Sequence, residues 1–222
     1  MSGLDAAGAR RWAEAFLDAA ERDAEALGDL DRKAGDGDFG TNLVTSVRAS
    51  RARLGDGPLA LPADAFSALS AAFMATGGTS GPLFGMWYRE LARAAGDGPE
   101  IATDGLAAGL AAGLAVVRRL GGAEVGDKTM VDAMAPAAEA VAAAAESGAD
   151  VVAALTAAAR AARAGAEETA SLVARRGRAS YVGEVARGIV DPGAATLALF
   201  LESGAAAVAD PNPVGEHRRS ED

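Results

Sequence analysis

The chain has 222 residues, half of them hydrophobic, and a formal charge of −10 from 31 acidic and 21 basic side chains. That length suits one domain or at most two small ones, and the acidic balance argues against nonspecific nucleic-acid binding, which needs a basic face. Cysteine is absent, which excludes disulfides, thiolate chemistry and zinc–sulfur centres. Ala, Leu, Glu and Arg fill long segments and strand-like alternation is nearly missing, so the pattern predicts helices over residues 7–27, 40–54, 62–76, 82–95, 103–119, 130–146, 149–174 and 193–208 and no strand. The expectation is an all-α domain over residues 1–210, ended by Asp210-Pro211-Asn212-Pro213, with a loose polar tail over 211–222. The single histidine, His217, reads as a solvated residue of that tail, which leaves the domain without a histidine base or nucleophile. Met1–Arg11 lacks the apolar core of a secretory signal, and the longest uncharged helical stretch, Gly105–Val117, is too short to span a bilayer. A cytoplasmic protein with no membrane partner is the expectation.

The first break between helices is the most informative. Asp31, Asp36 and Asp38 sit in a glycine-rich turn that lets three carboxylates converge. Like charges at close range repel, and a hard divalent cation with oxygen ligands relieves them. A calcium EF-hand is rejected, because the position it fills with Glu is Asn42 or Val47, depending on the start. Magnesium, which takes a few carboxylates and completes its shell with water and phosphate, fits; a solvated turn with an Asp cap fits equally well.

Further along, Gly77-Gly78-Thr79-Ser80-Gly81-Pro82-Leu83 leads into a helix, with Pro82 in its first turn. Small residues there expose N–H groups at a helix start, which suits an anion; a flexible interhelical turn reads the same way. Gly105, Gly109 and Gly113 form a stripe that lets a neighbouring helix approach closely, with Asp104, Arg118 and Arg119 marking a soluble helix. Gly121–Thr129 nearly matches a Walker A loop, but Asp127 is inserted before Lys128-Thr129 and the stretch follows a helix, so a P-loop is rejected. Lys128 is left as a phosphate or ion-pair partner or an ordinary surface lysine, and Thr129 as a helix N-cap. In Gly177-Arg178-Ala179-Ser180-Tyr181, Arg178 suits a phosphate clamp, and Asp191-Pro192-Gly193 reads as the cap opening the last helix.

Taken in order, Gly35-Asp36-Gly37-Asp38 with Gly40-Thr41-Asn42, Gly77–Leu83, Gly126–Met130, Gly177–Tyr181 and Asp191–Ala194 closely resemble one family. It is the nucleotide-binding L subunit of bacterial dihydroxyacetone kinase, equivalent to the C-terminal domain of single-chain dihydroxyacetone kinases. The resemblance implies an eight-helix antiparallel barrel with the nucleotide at one end. It implies that Asp31, Asp36 and Asp38 hold two magnesium ions and, with Arg178, form the catalytic set. Around ADP or ATP it places Phe39, Gly40, Thr41, Asn42, Gly78, Thr79, Ser80, Gly121, Thr129, Met130, Arg178, Asp191, Pro192 and Gly193. It further implies a separate K subunit that holds the keto substrate covalently through a histidine. In phosphotransferase-linked systems ADP stays bound and a phosphohistidine M subunit rephosphorylates it; in ATP-linked ones the nucleotide exchanges. The chain departs from the family at Phe39, where histidine or cysteine is usual, and at Val185–Val190, which replaces a segment usually containing histidine. Those departures motivate a second reading, a nucleotide-sensing regulatory partner without catalysis; a third is an unrelated helical metal-binding domain.

Overall fold

A computed structural model describes residues 3–209. His217, the 210–213 helix stop and the 211–222 tail lie outside the described residues. Eight helices follow one another: α1 (Ala6–Ala34), α2 (Phe39–Leu54), α3 (Pro62–Met74), α4 (Ser80–Ala95), α5 (Thr103–Gly121), α6 (Val131–Glu146), α7 (Val151–Glu168) and α8 (Pro192–Ala209). Each packs antiparallel on its neighbour in sequence, and α1 closes the ring against α8. In an up-and-down ring the connections α1–α2, α3–α4, α5–α6 and α7–α8 all emerge at the same end.

The expected all-α class and the number of helices agree with this fold, and three local expectations need correction. α1 runs through Ala34, so Asp31 stands in its last turn rather than in the glycine-rich loop. The buried positions Trp12, Phe16, Ala20, Ala24, Leu27, Asp31 and Ala34 recur every three or four residues, and Asp31 therefore projects from the core-facing stripe. α7 stops at Glu168, where a 3₁₀ turn over Thr169–Ser171 takes over. There the Thr169 carbonyl accepts from both the Leu172 N–H, at 3.2 Å, and the Lys128 ammonium. A two-residue antiparallel pair, β1 (Leu4–Asp5) on β2 (Glu100–Ile101), ties the start of α1 to the α4–α5 connection; a strand that short has no period to read.

Eight of the ten aromatic side chains meet inside the ring. Phe200 lies at its centre, with ring centroids 4.6 Å from Trp12, 5.0 Å from Tyr88, 5.1 Å from Phe16 and 5.3 Å from Trp87. Small residues set how closely the helices surround this cluster. The glycine stripe of α5 faces α4 as expected: a Cβ on Gly113 would fall within the Trp87 indole, and one on Gly109 would meet Leu91 and Ala94. α8 is long and apolar enough to cross a membrane, but most of it is buried against α1 and α7, as befits a core helix.

Candidate functional site

The sharp chain reversal after α1 brings the acidic residues together. The Gly35 N–H caps α1 by donating to the Asp31 carbonyl, and a Cβ on Gly35 would collide with the Asp31 carboxylate, so glycine is required there. Gly37 then takes a φ of 81°, which returns the chain for α2 to begin. One carboxylate oxygen each from Asp31, Asp36 and Asp38 lies within 4.8 Å of the others. Asp31 is buried while Asp36 and Asp38 are exposed. Asp31 Oδ2 accepts the Phe39 N–H at 3.1 Å, which fixes that carboxylate on the first turn of α2. Burial, reinforced by the charge of Asp36, raises the pKa of Asp38, while a hydrogen bond from Asn42 opposes the rise. The cluster is therefore electrostatically strained and made of hard oxygen donors, a set that suits magnesium. Across the opening, Arg178 Nε pairs with Asp36 Oδ2 at 2.8 Å.

Beside the cluster lies a cleft with about 870 Å³ of empty space when its mouth to solvent is included. All four connections at this end line it. Asp31, Ala34 and Phe39 come from the first, and Thr79, Ser80 and Leu83 from the second. Val117, Gly121, Ala123, Thr129 and Met130 come from the third, and Arg178, Val190, Asp191, Pro192 and Gly193 from the fourth. A smaller cavity adjoins it through Phe39, Thr79 and Ser80, and is also lined by Asp38 and Asn42. The N-termini of α2, α4, α6 and α8 open at this end, and α2 and α4 have no side-chain cap, which leaves N–H groups and positive helix-end potential for an anion.

Of the residues expected to meet a nucleotide, Gly40, Thr41 and Gly78 line neither cavity. A Cβ on Gly40 would press on the Ala24 carbonyl and Gly28 of α1, so this glycine serves the crossing of α1 and α2. Phe39 contributes its backbone N–H and a buried ring dividing the two cavities. Met130 immediately precedes α6, and the Thr129 hydroxyl, expected to cap it, accepts the Val131 N–H at 3.2 Å. The Asp132 carboxylate reaches back to the Thr129 N–H at 2.7 Å and the Gly126 N–H at 2.5 Å. Lys128 is no surface lysine; it is buried beside the cleft. Asp132 and Thr169 went unmarked in the sequence, although an acidic residue in a first helical turn just after a glycine-rich loop is a recognisable clamp.

Three comparisons bear on these shapes. A model of the family described as the DAK2 domain matches residues 33–206, which takes in every residue lining the two cavities except Asp31. The chain belongs to the DAK2 domain family. Among curated relatives it is 31% identical over 196 residues to the ADP-binding subunit DhaL of PEP-dependent dihydroxyacetone kinase 1 from Listeria innocua, covering 88% of this chain and 93% of that one. It is 38% identical over 195 residues to L-erythrulose 1-kinase from Mycolicibacterium smegmatis, covering 83% of this chain and 32% of the kinase. Among solved structures, the dihydroxyacetone kinase from C. freundii in complex with AMP-PNP and Mg2+ matches with a TM-score of 0.66 and 28% identity. That match covers 92% of this chain and 34% of the other. The DAK2 domain is thus nearly the whole of one relative and about a third of the others.

This DAK2 domain carries an unusual cap. Asp191 Oδ2 accepts the Ala194 N–H at 2.7 Å and opens α8, as expected. Burial pushes the Asp191 pKa from 3.8 to about 7, against the pull of this bond and of Lys128. In that window the folded chain keeps a proton that the unfolded chain has released, so the stability contribution is full at low pH and lost as pH rises through about 7. Asp191→Asn, which still caps, is expected to flatten this fall, as read from urea midpoints across the same range. A wild-type midpoint that does not fall there would contradict the assignment.

Proposed function

We propose that this chain is the nucleotide- and magnesium-binding component of a dihydroxyacetone-type kinase. In this reading it holds ADP or ATP and delivers a phosphoryl group to dihydroxyacetone, or a related short keto sugar, carried by a separate K subunit. The observation that carries the reading is the convergence of three carboxylate oxygens within 4.8 Å beside the uncapped starts of α2 and α4. Asp31, Asp36 and Asp38 would hold one or two magnesium ions, whose contribution is charge neutralisation on the phosphate oxygens. The N–H groups at the α4 start receive phosphate oxygens, where Thr79 and Ser80 border both cavities. The apolar part of the cleft, with Leu83, Val117 and Met130, takes the base. Arg178 moves from Asp36 to the phosphates and compensates charge there. No base is needed from this chain if the partner holds and deprotonates the substrate. Exposed Tyr181 and Val185, on the same α7–α8 connection as Arg178, offer that partner an apolar contact. A cytoplasmic location follows from this assignment.

Two donors are compatible with the cleft. The DhaL relative, matched over 93% of its length, favours bound ADP recharged by a phosphotransferase M subunit. The 38% identity to L-erythrulose 1-kinase favours direct use of ATP and a four-carbon ketose. Incubating the chain with K-type partners, dihydroxyacetone or erythrulose, and either ATP or a phosphorylated M-type donor separates the two. Absence of sugar phosphate under every combination would leave only a regulatory nucleotide-binding role.

Asp36→Asn gives a signed test of the Arg178 contact. Magnesium-dependent ADP affinity is expected to fall, because a ligand charge is lost. In EDTA the affinity is expected to rise, because Arg178 is released. The pair is about half exposed, so the rise should be no more than about fivefold. Calorimetry with and without magnesium reads both signs, and an affinity that falls in both conditions would refute the switch of partner.

A further inference from the structure

Lys128 is a buried charge to which the proposed reaction assigns no part. It is 2% exposed and is the one non-glycine among the described residues at positive φ, 63°. That conformation is disfavoured for a residue with a side chain and persists only where its surroundings impose it. Here the loop is clamped on both sides by Asp132, which accepts from Gly126 N at 2.5 Å and Thr129 N at 2.7 Å. The side chain is thereby directed inward. Its Nζ donates to the carbonyl of Thr169 and, at 2.5 Å, to that of Ile189. Thr169 Oγ1 in turn accepts the Asp191 N–H at 2.8 Å. Burial pulls the Lys128 pKa down, and the carboxylates of Asp191 and Asp132 oppose it. One ammonium therefore joins the α5–α6 loop, the turn after α7 and the approach to α8. Met130 and the Asp191–Gly193 cap, on two of these segments, both line the cleft and adjoin one another there, since a Cβ on Gly193 would lie 3.3 Å from Met130 Cε.

A buried ammonium held mainly by carbonyls is a poor device for stability alone, since an apolar side chain of similar volume commonly serves as well. We propose that Lys128 is a positioning residue: by tethering Thr169 and Ile189 it holds Met130 and the Asp191–Gly193 cap together as one wall of the cleft. The functional consequence rests on the nucleotide reading above; the tether itself does not.

Lys128→Met keeps the stem and removes every donor. In the ligand-free full chain, amide hydrogen exchange over residues 126–130, 169–171 and 187–194 is expected to quicken about tenfold while α1–α4 stay protected. Magnesium–ADP affinity should fall about tenfold, and magnesium–pyrophosphate affinity should be unchanged, because the aspartates lie on the α1–α2 reversal, to which Asp36 ties Arg178. Lys128→Gln, which keeps a shorter, uncharged donor, should show the same pattern and serves if the methionine variant does not fold. Unaltered exchange in the three segments of a folded variant overturns the tether. A parallel loss of pyrophosphate affinity overturns the positioning role, since Lys128 would then be a direct phosphate ligand. If the wild-type chain binds no magnesium–ADP, the nucleotide reading fails, and hydrogen exchange still decides the tether.

Discussion

Asp31→Asn is expected to weaken magnesium-dependent ADP binding by about 100-fold while leaving helix content and urea midpoint close to wild type. The contrast follows from the position of this carboxylate. Asp31 is the buried member of the acidic cluster, held on the last turn of a rigid helix and locked by the Phe39 N–H. An asparagine oxygen still accepts that N–H, so the α1–α2 reversal survives. The charge does not, and a neutral amide is a much weaker ligand for a hard cation. Without magnesium the sign reverses: one negative charge fewer faces the nucleotide phosphates, so affinity in EDTA is expected to hold or rise slightly. Calorimetry in the two conditions, with circular dichroism as the fold control, checks this. Wild-type affinity in the presence of magnesium would remove the metal role from the cluster.

Phe200→Ala is expected to cost about 3–5 kcal/mol of unfolding free energy, the largest effect of any single truncation considered. Phe200 is fully buried on α8. It touches rings from α1, α3 and α4, including Trp12 at 4.6 Å and Phe66 at 6.4 Å. The Phe200 carbonyl also accepts the Trp12 indole N–H at 2.7 Å; that bond belongs to the backbone and survives the substitution. The loss is therefore ring burial plus the cavity left among neighbours too large to collapse. Urea denaturation reads it directly, and a loss below about 1 kcal/mol would mean that the cluster repacks. The acidic cluster lies on other segments, so magnesium binding by the folded fraction should be retained.

Much of this was legible in the sequence because helices announce themselves by period and punctuation. The eight helices, the soluble glycine stripe of α5 and the Asp191 cap all follow from local spacing, as does the expectation of a hard-cation site from three close aspartates. The five motif stretches were enough to name the family before any fold was known. The finer roles were not local. That Asp31 rides a helix follows from its place on a buried stripe, which became meaningful only once the ring supplied an inside. That Gly40 serves a helix crossing, that Arg178 reaches Asp36, and that Lys128 is buried on two carbonyls more than forty residues away are long-range facts. A side chain carries no mark of the backbone it will meet when the chain closes. The sequence by itself determined which segments coil, where they break and which acidic side chains crowd one turn. Only the closed ring, by bringing four connections to one end, decided which of those charges share a cleft.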